Sequence, residues 1–180
     1  KNTDDANSMT DTANLYAEDA DAFVAQIQDI TDELSSTEKQ FTLLIKTLAP
    51  LELVEISVID PWSSLIERIA IIPQSSQAAI KKSQNYKLAA SYVVQMQKLI
   101  DSRDVQLELL SAVDRPSQLQ PLINRLSGLK VSTSQMPSFK KYLDAISKSI
   151  PANVCQKGTT VLLPSKAGKC AKGFESIPTS

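Results

Sequence analysis

The feature that most constrains the fold is a regular run of mostly apolar residues in the first third of the chain. Its members are spaced alternately three and four residues apart, a repeat that is typical of a helix with one packed face. They are Ala20, Phe23, Ile27, Ile30, Leu34, Thr37, Phe41, Leu44 and Leu48. We call this run the seam. It predicts a helix over residues 12–48, about 55 Å long, that follows a frayed lead-in over residues 1–10 and ends at Pro50.

The segment 51–72 favours helix on both sides of a kink or break at Pro61. Residues 51–59 also fit a strand, but their apolar positions continue at helical spacing into the residues that follow. Asp60 is a suitable N-cap, and Pro61 is a suitable first helical residue. We therefore predict that a helix begins there and ends at Pro73.

Proline and glycine residues mark the ends of three later helices. The predicted helices run from Ser75 or Ser76 to about Val113, from Ser117 to near Gly128, and from Met136 to Ile150. Arg103 falls on the apolar stripe of the first of these, so its stem is predicted to pack while its guanidinium reaches the edge. Because long helices need long neighbours, the chain is predicted to form an all-α, elongated helical bundle with about four layers and five to six helical pieces.

The sequence changes character after Pro151, so we assign residues 1–151 to the bundle and residues 152–180 to an irregular strap. The strap holds both cysteines, Cys155 and Cys170, and a β-prone stretch over residues 159–163 that predicts a short strand. Two cysteines without histidine cannot complete a four-ligand zinc site, which leaves a disulfide or two free thiols. We predict the disulfide, which closes the strap without making it an independent domain.

The predicted disulfide indicates an oxidising compartment, and we therefore predict a secreted, extracellular protein. The sequence starts at Lys1 without methionine, as it would after removal of a signal peptide or at any other cut of the chain. No apolar run reaches 18 residues, so no transmembrane segment is expected.

The chain contains no histidine, which excludes Ser-His-Asp and Cys-His catalytic arrangements and imidazole metal sites. It also lacks a Gly-rich nucleotide loop and the spacing of a calcium loop, so neither a cofactor nor a metal site is predicted. Carboxylates share helix faces at Asp29, Asp32 and Glu33 and at Glu52 and Glu55, a pattern that usually forms a solvated surface. We predict no catalytic residue. The alternative is a histidine-independent enzyme that uses carboxylates or lysine.

Charge is distributed unevenly, although the net charge is −1. Residues 1–38 contain ten acidic residues and one lysine, whereas residues 139–180 contain seven lysines and two acidic residues. One interpretation is two solvated faces that attract each other within the fold. The alternative is a basic patch for an anionic surface or glycan, formed by Lys157, Lys166, Lys169 and Lys172. Because arginines and aromatic residues are not interleaved with these lysines, no nucleic acid is predicted as a partner.

Apolar residues cover most of the circumference of segment 51–72, so this segment either is buried at the centre of the bundle or lines a cavity. Burial is the simpler interpretation. The alternative is a site for an apolar ligand, or an interface, formed by Ile59, Trp62, Leu65, Ile66 and Ile69.

The predicted function is that of a secreted, non-catalytic helical binding protein that acts through its surface on a protein or an extracellular matrix partner. The alternative function is a carrier of a lipid or another hydrophobic small molecule inside the bundle. The seam over residues 20–48 is predicted to pack inside its own fold, and the alternative is a homodimer in which two seams pair.

Overall fold

Helices make up most of the chain, and a small sheet follows them at the C-terminal end. The structure, a computed structural model, describes residues 2–179 and the side chains of residues 7–179. The helices are α1 (Asn2–Val54), α2 (Asp60–Ala70), α3 (Gln74–Lys82), α4 (Gln84–Leu110), α5 (Leu119–Ser127) and α6 (Met136–Ser149). A π-helical turn (Glu55–Ile59) joins α1 to α2, and a 3₁₀ turn (Pro116–Gln118) precedes α5. The predicted all-α bundle is confirmed, as are its two short helices α5 and α6.

Helix α1 is longer than predicted at both ends. Residues 2–10, predicted to be a frayed lead-in, are helical, whereas Lys1 lies outside the described residues. The helix also continues through Pro50, although an interior proline removes one backbone N–H and costs about 3 kcal/mol. The buried side chains of Leu44 and Leu51 on either side of Pro50 offset this cost by packing on α5. The prediction that α1 ends at Pro50 is therefore wrong.

Both predicted helices are confirmed, and the kink or break predicted at Pro61 is not a non-helical break, because the chain passes through the π-helical turn (Glu55–Ile59) into α2 without leaving helical structure. The π-helical turn explains the continuation. The N–H of Asp60 donates to the carbonyl of Glu55, five residues earlier, and the wider turn makes room for a proline ring that a regular α-helix would crowd. Asp60 has helical φ and ψ angles of −62° and −48° and is preceded by helical residues, so it is not an N-cap.

The helix predicted from Ser75 or Ser76 to Val113 is divided into two. Ser83 adopts an extended conformation between α3 and α4, with ψ at 149°, and its side chain accepts a hydrogen bond from the backbone N–H of Tyr86 at 3.3 Å. Ser83 is therefore the N-cap of α4, which ends at Leu110 rather than near Val113. Helix α3 begins after Pro73, one to two residues before the predicted serine caps.

The strap contains a three-stranded antiparallel sheet in the order β2 (Thr160–Leu162), β1 (Asn153–Lys157), β3 (Glu175–Pro178). The strand predicted within residues 159–163 is β2, whereas β1 and β3 were not predicted. The Cys155–Cys170 disulfide is present, as predicted. Arg68 of α2 donates from Nε to the carbonyl oxygen of Thr179 at 2.9 Å, and the Thr179 hydroxyl donates to the carbonyl of Pro151. These bonds attach the end of the strap to the helices.

Two clusters of buried side chains form the core. The larger cluster packs α2, α4 and α6 together with the π-helical turn, and Val154 of β1 joins it from the sheet. The smaller cluster packs the C-terminal part of α1 on α5 and contains Leu44, Leu51, Leu119, Ile123 and Leu126. Both clusters lie C-terminal to residue 43, so the first four-fifths of α1 contribute nothing to either.

Candidate functional site: an exposed helical arm

The N-terminal part of α1 lies apart from the core as a single helix. Every side chain from residue 7 to residue 36 is exposed, and we call this part the arm. We call residues 37–179 the body, because Thr37 is the first described residue whose side chain is partly buried. At 1.5 Å per residue the arm is about 45 Å long. An isolated helix is marginal in water, since helices in proteins depend mainly on packing of an apolar face.

The arm carries an apolar face that nothing in the described part of the chain covers. In a seven-residue repeat written a to g, the apolar positions are a and d. This spacing extends beyond Ala20 toward the N-terminus, which the sequence prediction missed, and the eight positions form what we call the arm seam. They are Met9, Ala13, Tyr16, Ala20, Phe23, Ile27, Ile30 and Leu34. Met9 is 75 % exposed and Leu34 is 68 % exposed. Continuous apolar surface of this kind marks interaction sites.

The same spacing continues into the body, where Phe41 is still 48 % exposed but the d positions that follow it are buried. Leu44 and Leu51 occupy successive d positions and pack on α5, with only 5 % and 1 % of their surface exposed. Val58 lies at the next d position and is fully buried in the larger cluster. The prediction that the seam packs inside its own fold is therefore confirmed for Leu44 and Leu48 and wrong for residues 20–34.

The acidic residues of the arm lie mainly away from the arm seam. Only Asp19 and Glu33 occupy the e and g positions that flank it. The other acidic residues at outer positions are Asp11, Glu18, Asp21, Asp29 and Asp32. The arm contains no lysine or arginine. A partner helix can therefore approach the arm seam without placing its flanks against a row of carboxylates.

Several polar side chains of the arm form hydrogen bonds within their own helix. The hydroxyls of Thr12 and Thr31 donate to the carbonyls of Ser8 and Ile27 at 2.8 Å, and the Gln28 amide donates to Asp32 at 3.0 Å. These bonds satisfy polar groups locally. The arm seam is therefore the part of the arm whose burial would gain most from a partner.

The five residues predicted for an apolar ligand come together, but as part of the core. Leu65 and Ile69 are buried in the larger cluster, and Ile59, Trp62 and Ile66 are partly buried against it. The Trp62 ring lies 5.1 Å from the ring of Tyr86, centroid to centroid.

The prediction that segment 51–72 is buried around its whole circumference is wrong. Leu53, Ile56 and Ile71 are exposed, because helices pack against only part of the surface of this segment.

Two clefts in the body lie away from those five residues. A cleft of about 480 Å³ separates the turn after α2 from the sheet, where Pro73, Val161 and Ile177 are among its lining residues. A smaller cleft of about 280 Å³ lies between α4 and α6, with Leu88 and Tyr142 in its wall. Neither cleft is lined by Trp62 or its predicted companions, so neither supports the predicted ligand site.

The four lysines of the predicted basic patch are exposed, and all lie in the strap. Lys157 ends β1, and Lys166, Lys169 and Lys172 lie in the long connection between β2 and β3. The ion pairs seen among the described residues both involve Arg103, so none joins the acidic arm to these lysines. No ion pair within residues 7–179 therefore supports the interpretation that the two charged regions attract each other within the fold.

Arg103 links α4 to the π-helical turn. Its Nη1 donates to Glu55 Oε2 at 2.6 Å, and its Nε donates to Asp104 Oδ1 at 2.8 Å. Burial lowers the pKa of the guanidinium, but the hydrogen bonds to both carboxylates outweigh burial, and the pKa lies above its ordinary value. The side chain is 13 % exposed, which agrees with the predicted packing of its stem. The sequence did not predict that Arg103 pairs with Glu55, although Glu55 is a charged residue at an a position, where an apolar residue is expected.

Two absences among the described residues limit the chemistry of this part of the chain. Residues 2–179 contain no helix with the length and apolar character needed to cross a bilayer. They also bring no three Cys, Asp or Glu side chains together in a way that could hold a metal ion. No protein-family model, curated protein or solved structure matches the chain. The arm must therefore be interpreted from its own chemistry.

Proposed function

We propose that this protein is a secreted, non-catalytic interaction protein whose binding element is the arm, and that the arm seam packs against a helix of a protein partner. The observation that carries the proposal is the continuity of one heptad pattern across α1, exposed from Met9 to Leu34 and buried at the later d positions Leu44 and Leu51. The buried part indicates what the exposed part requires, because α5 covers Leu44 and Leu51 with the apolar face of another helix.

The gain from covering the arm seam supports the proposal. Its six large side chains are each at least 49 % exposed. Fully burying one such side chain contributes about 1.5–3 kcal/mol, and partial burial correspondingly less. A helix partner also stabilises the arm itself, since an unpacked helix of this length is marginal.

A protein helix fits the arm better than a lipid surface does. Helices that lie on membranes carry lysine and arginine along their polar face, where these residues meet anionic headgroups. The arm carries seven acidic residues and no basic residue, so an anionic surface repels it. The carrier alternative has no favouring observation in residues 7–179, because the residues predicted to hold the ligand are core residues.

An extracellular location is the second part of the proposal. The Cys155–Cys170 disulfide supports it, because structural disulfides persist in oxidising compartments and are rare in reducing ones.

A synthetic helix tests the proposal without requiring the natural partner. The probe is matched to the arm in length, with leucine at every a and d position and lysine at e and g to complement the acidic arm. Isothermal titration calorimetry measures its binding to the full chain and to two variants with the same added charge. Phe23→Asp places the charge on the arm seam, and Ala25→Asp places it two residues away at an outer position.

We expect the full chain and Ala25→Asp to bind the probe and Phe23→Asp to bind about tenfold or more weakly, because an aspartate in the seam must be desolvated. Equal binding by all three proteins would contradict the proposal, as would no binding by a full chain that is monomeric in sedimentation. Binding to phosphatidylcholine vesicles but not to the probe would favour a lipid surface instead.

A further inference from the structure

We infer that the partner of the arm is a second copy of this chain, and that the two arms pair antiparallel along their whole length. In this arrangement, residue 7 of one copy lies opposite residue 36 of the other, and facing residues have numbers that sum to 43. The inference rests on the proposed function and names the partner that the arm seam takes.

The positions of the arm seam select the register. In an antiparallel pair a positions face d positions, so registers consistent with the repeat differ by steps of seven in the sum of facing residue numbers. A sum of 43 pairs all eight residues of the arm seam with one another. A sum of 50 would place Met9 and Ala13 beyond the arm seam of the other copy, and a sum of 36 would do the same to Ile30 and Leu34.

The sizes of the seam residues favour the same register. A full antiparallel overlap gives these facing pairs: Ala20 with Phe23, Tyr16 with Ile27, Ala13 with Ile30, and Met9 with Leu34. Each alanine then faces a large side chain, and the layer volumes differ less than they would in a parallel pair. A parallel pair would instead place Ala20 against Ala20 and Phe23 against Phe23, alternating gaps with crowded layers.

The flanking charges also agree with antiparallel pairing. In that arrangement the flanking g positions of the two helices lie beside each other, offset by two residues from the layers of the seam. Asp19 therefore lies beside Gln26, and Glu33 lies beside Thr12. No two acidic residues then meet at the edges of the seam. A parallel pair brings g against e of the next repeat, which would place Glu33 opposite Glu38.

The area available is sufficient for a stable dimer. Aromatic and large aliphatic side chains of the arm seam contribute about 100 Å² each on pairing. Six such residues in each of two copies give about 1,200 Å², which reaches the range of specific interfaces before the alanines and the flanking Val24 are counted.

Sedimentation velocity of the full chain tests the association. We expect a dimer at about 50 µM protein, a monomer for Phe23→Asp and a dimer for the matched control Ala25→Asp. A monomeric full chain would overturn the inference. If that monomer still bound the synthetic helix, the proposed function would stand with a different partner, and if it did not, both would fail.

Spin labels on introduced cysteines test the direction of pairing, since the native cysteines are joined in the disulfide. Asp11→Cys and Ala25→Cys both lie at f positions on the outer face of the arm. In the antiparallel dimer the two labels at residue 11 are about 32 Å apart along the axis, and those at residue 25 about 10 Å. Because the labels also lie about 20 Å apart across the two helices, we expect the total distance at residue 11 to be longer by about 15 Å. Equal distances at the two sites would indicate parallel pairing and overturn the inference.

Discussion

The arm and the part of α1 inside the body have the same apolar pattern and opposite environments. Leu51 lies at a d position and is 1 % exposed, whereas Phe23 lies at a d position of the arm and is 63 % exposed. The difference comes from what lies alongside: α4 and α5 contact the C-terminal part of α1, and no described helix contacts the arm. A heptad pattern thus identifies a face that gains from a partner, but it does not say which chain supplies that partner.

The two regions also differ in how they form helix. The arm contains neither proline nor glycine, and all nine prolines and four glycines of the chain follow residue 49. Without tertiary contacts the arm depends on local helix propensity, which those two residues would reduce. The body tolerates Pro50 within α1 and Pro61 beside the π-helical turn because buried side chains offset the lost hydrogen bonds.

The strongest test of this contrast is a pair of identical truncations, Leu51→Ala in the body and Leu34→Ala in the arm. We expect Leu51→Ala to lower the free energy of unfolding by about 3 kcal/mol, because it leaves a cavity in the cluster with α5. Leu34→Ala leaves unfolding of the body nearly unchanged and weakens association of the arms. Urea unfolding of dilute protein, followed by Trp62 fluorescence, measures the first effect, and sedimentation measures the second. Equal losses of stability would mean that the arm is packed in the monomer.

The pattern-based part of the fold was predictable because helical periodicity is local. The spacing around Leu119 and Phe139 gave α5 and α6 within a few residues, and the turn-rich strap with its two cysteines gave the disulfide. What failed depends on long-range packing. Pro50 is a helix terminator in isolation, and only the contact of Leu44 and Leu51 with a helix some 70 residues later overrides it.

The sheet and the arm show the same limit of prediction from sequence, because both depend on neighbours that are distant in the chain or outside it. Strands β1 and β3 pair across about 20 residues, and a short strand carries little signal without its partner. The exposed state of the arm was not predictable, because Ile30 and Leu44 both occupy d positions and differ only in their neighbours. Ser83 was missed because a serine within a polar stretch is a weak helix boundary until its backbone is seen to be extended.

A second test removes the disulfide, which belongs to the body alone. We expect the double variant Cys155→Ala and Cys170→Ala to lower the free energy of unfolding by about 2–3 kcal/mol, because the open strap gains entropy in the unfolded chain. Thermal unfolding monitored by circular dichroism measures the loss. If the unmodified chain is a dimer in sedimentation, the variant should remain a dimer below its new melting temperature, since the arm does not contact the strap. Loss of the dimer in a folded body would show that the two regions are coupled.

The smallest expected effect is on how the free energy of unfolding declines at alkaline pH. We expect replacement of Tyr92 in the body to change this decline and replacement of Tyr16 in the arm to leave it unchanged. Burial raises the pKa of Tyr92 above its ordinary value of 10.0, so the folded protein holds this proton to higher pH than the unfolded chain does. Its contribution to stability is therefore complete below pH 10 and is lost as pH rises through the folded-state pKa. Urea unfolding of dilute protein between pH 9 and 11 should show a shallower decline for Tyr92→Phe than for the unmodified chain.

Tyr16→Phe is the matched control, because its ring is 72 % exposed when the arm is unpartnered. We expect this variant to follow the unmodified chain at every pH, since the exposed side chain packs against nothing in the body. Between pH 6 and 8 all three proteins should have nearly constant stability, because no histidine titrates there. A shallower alkaline decline for Tyr16→Phe in dilute protein would mean that the arm seam is already buried in the monomer, which would break the contrast between arm and body.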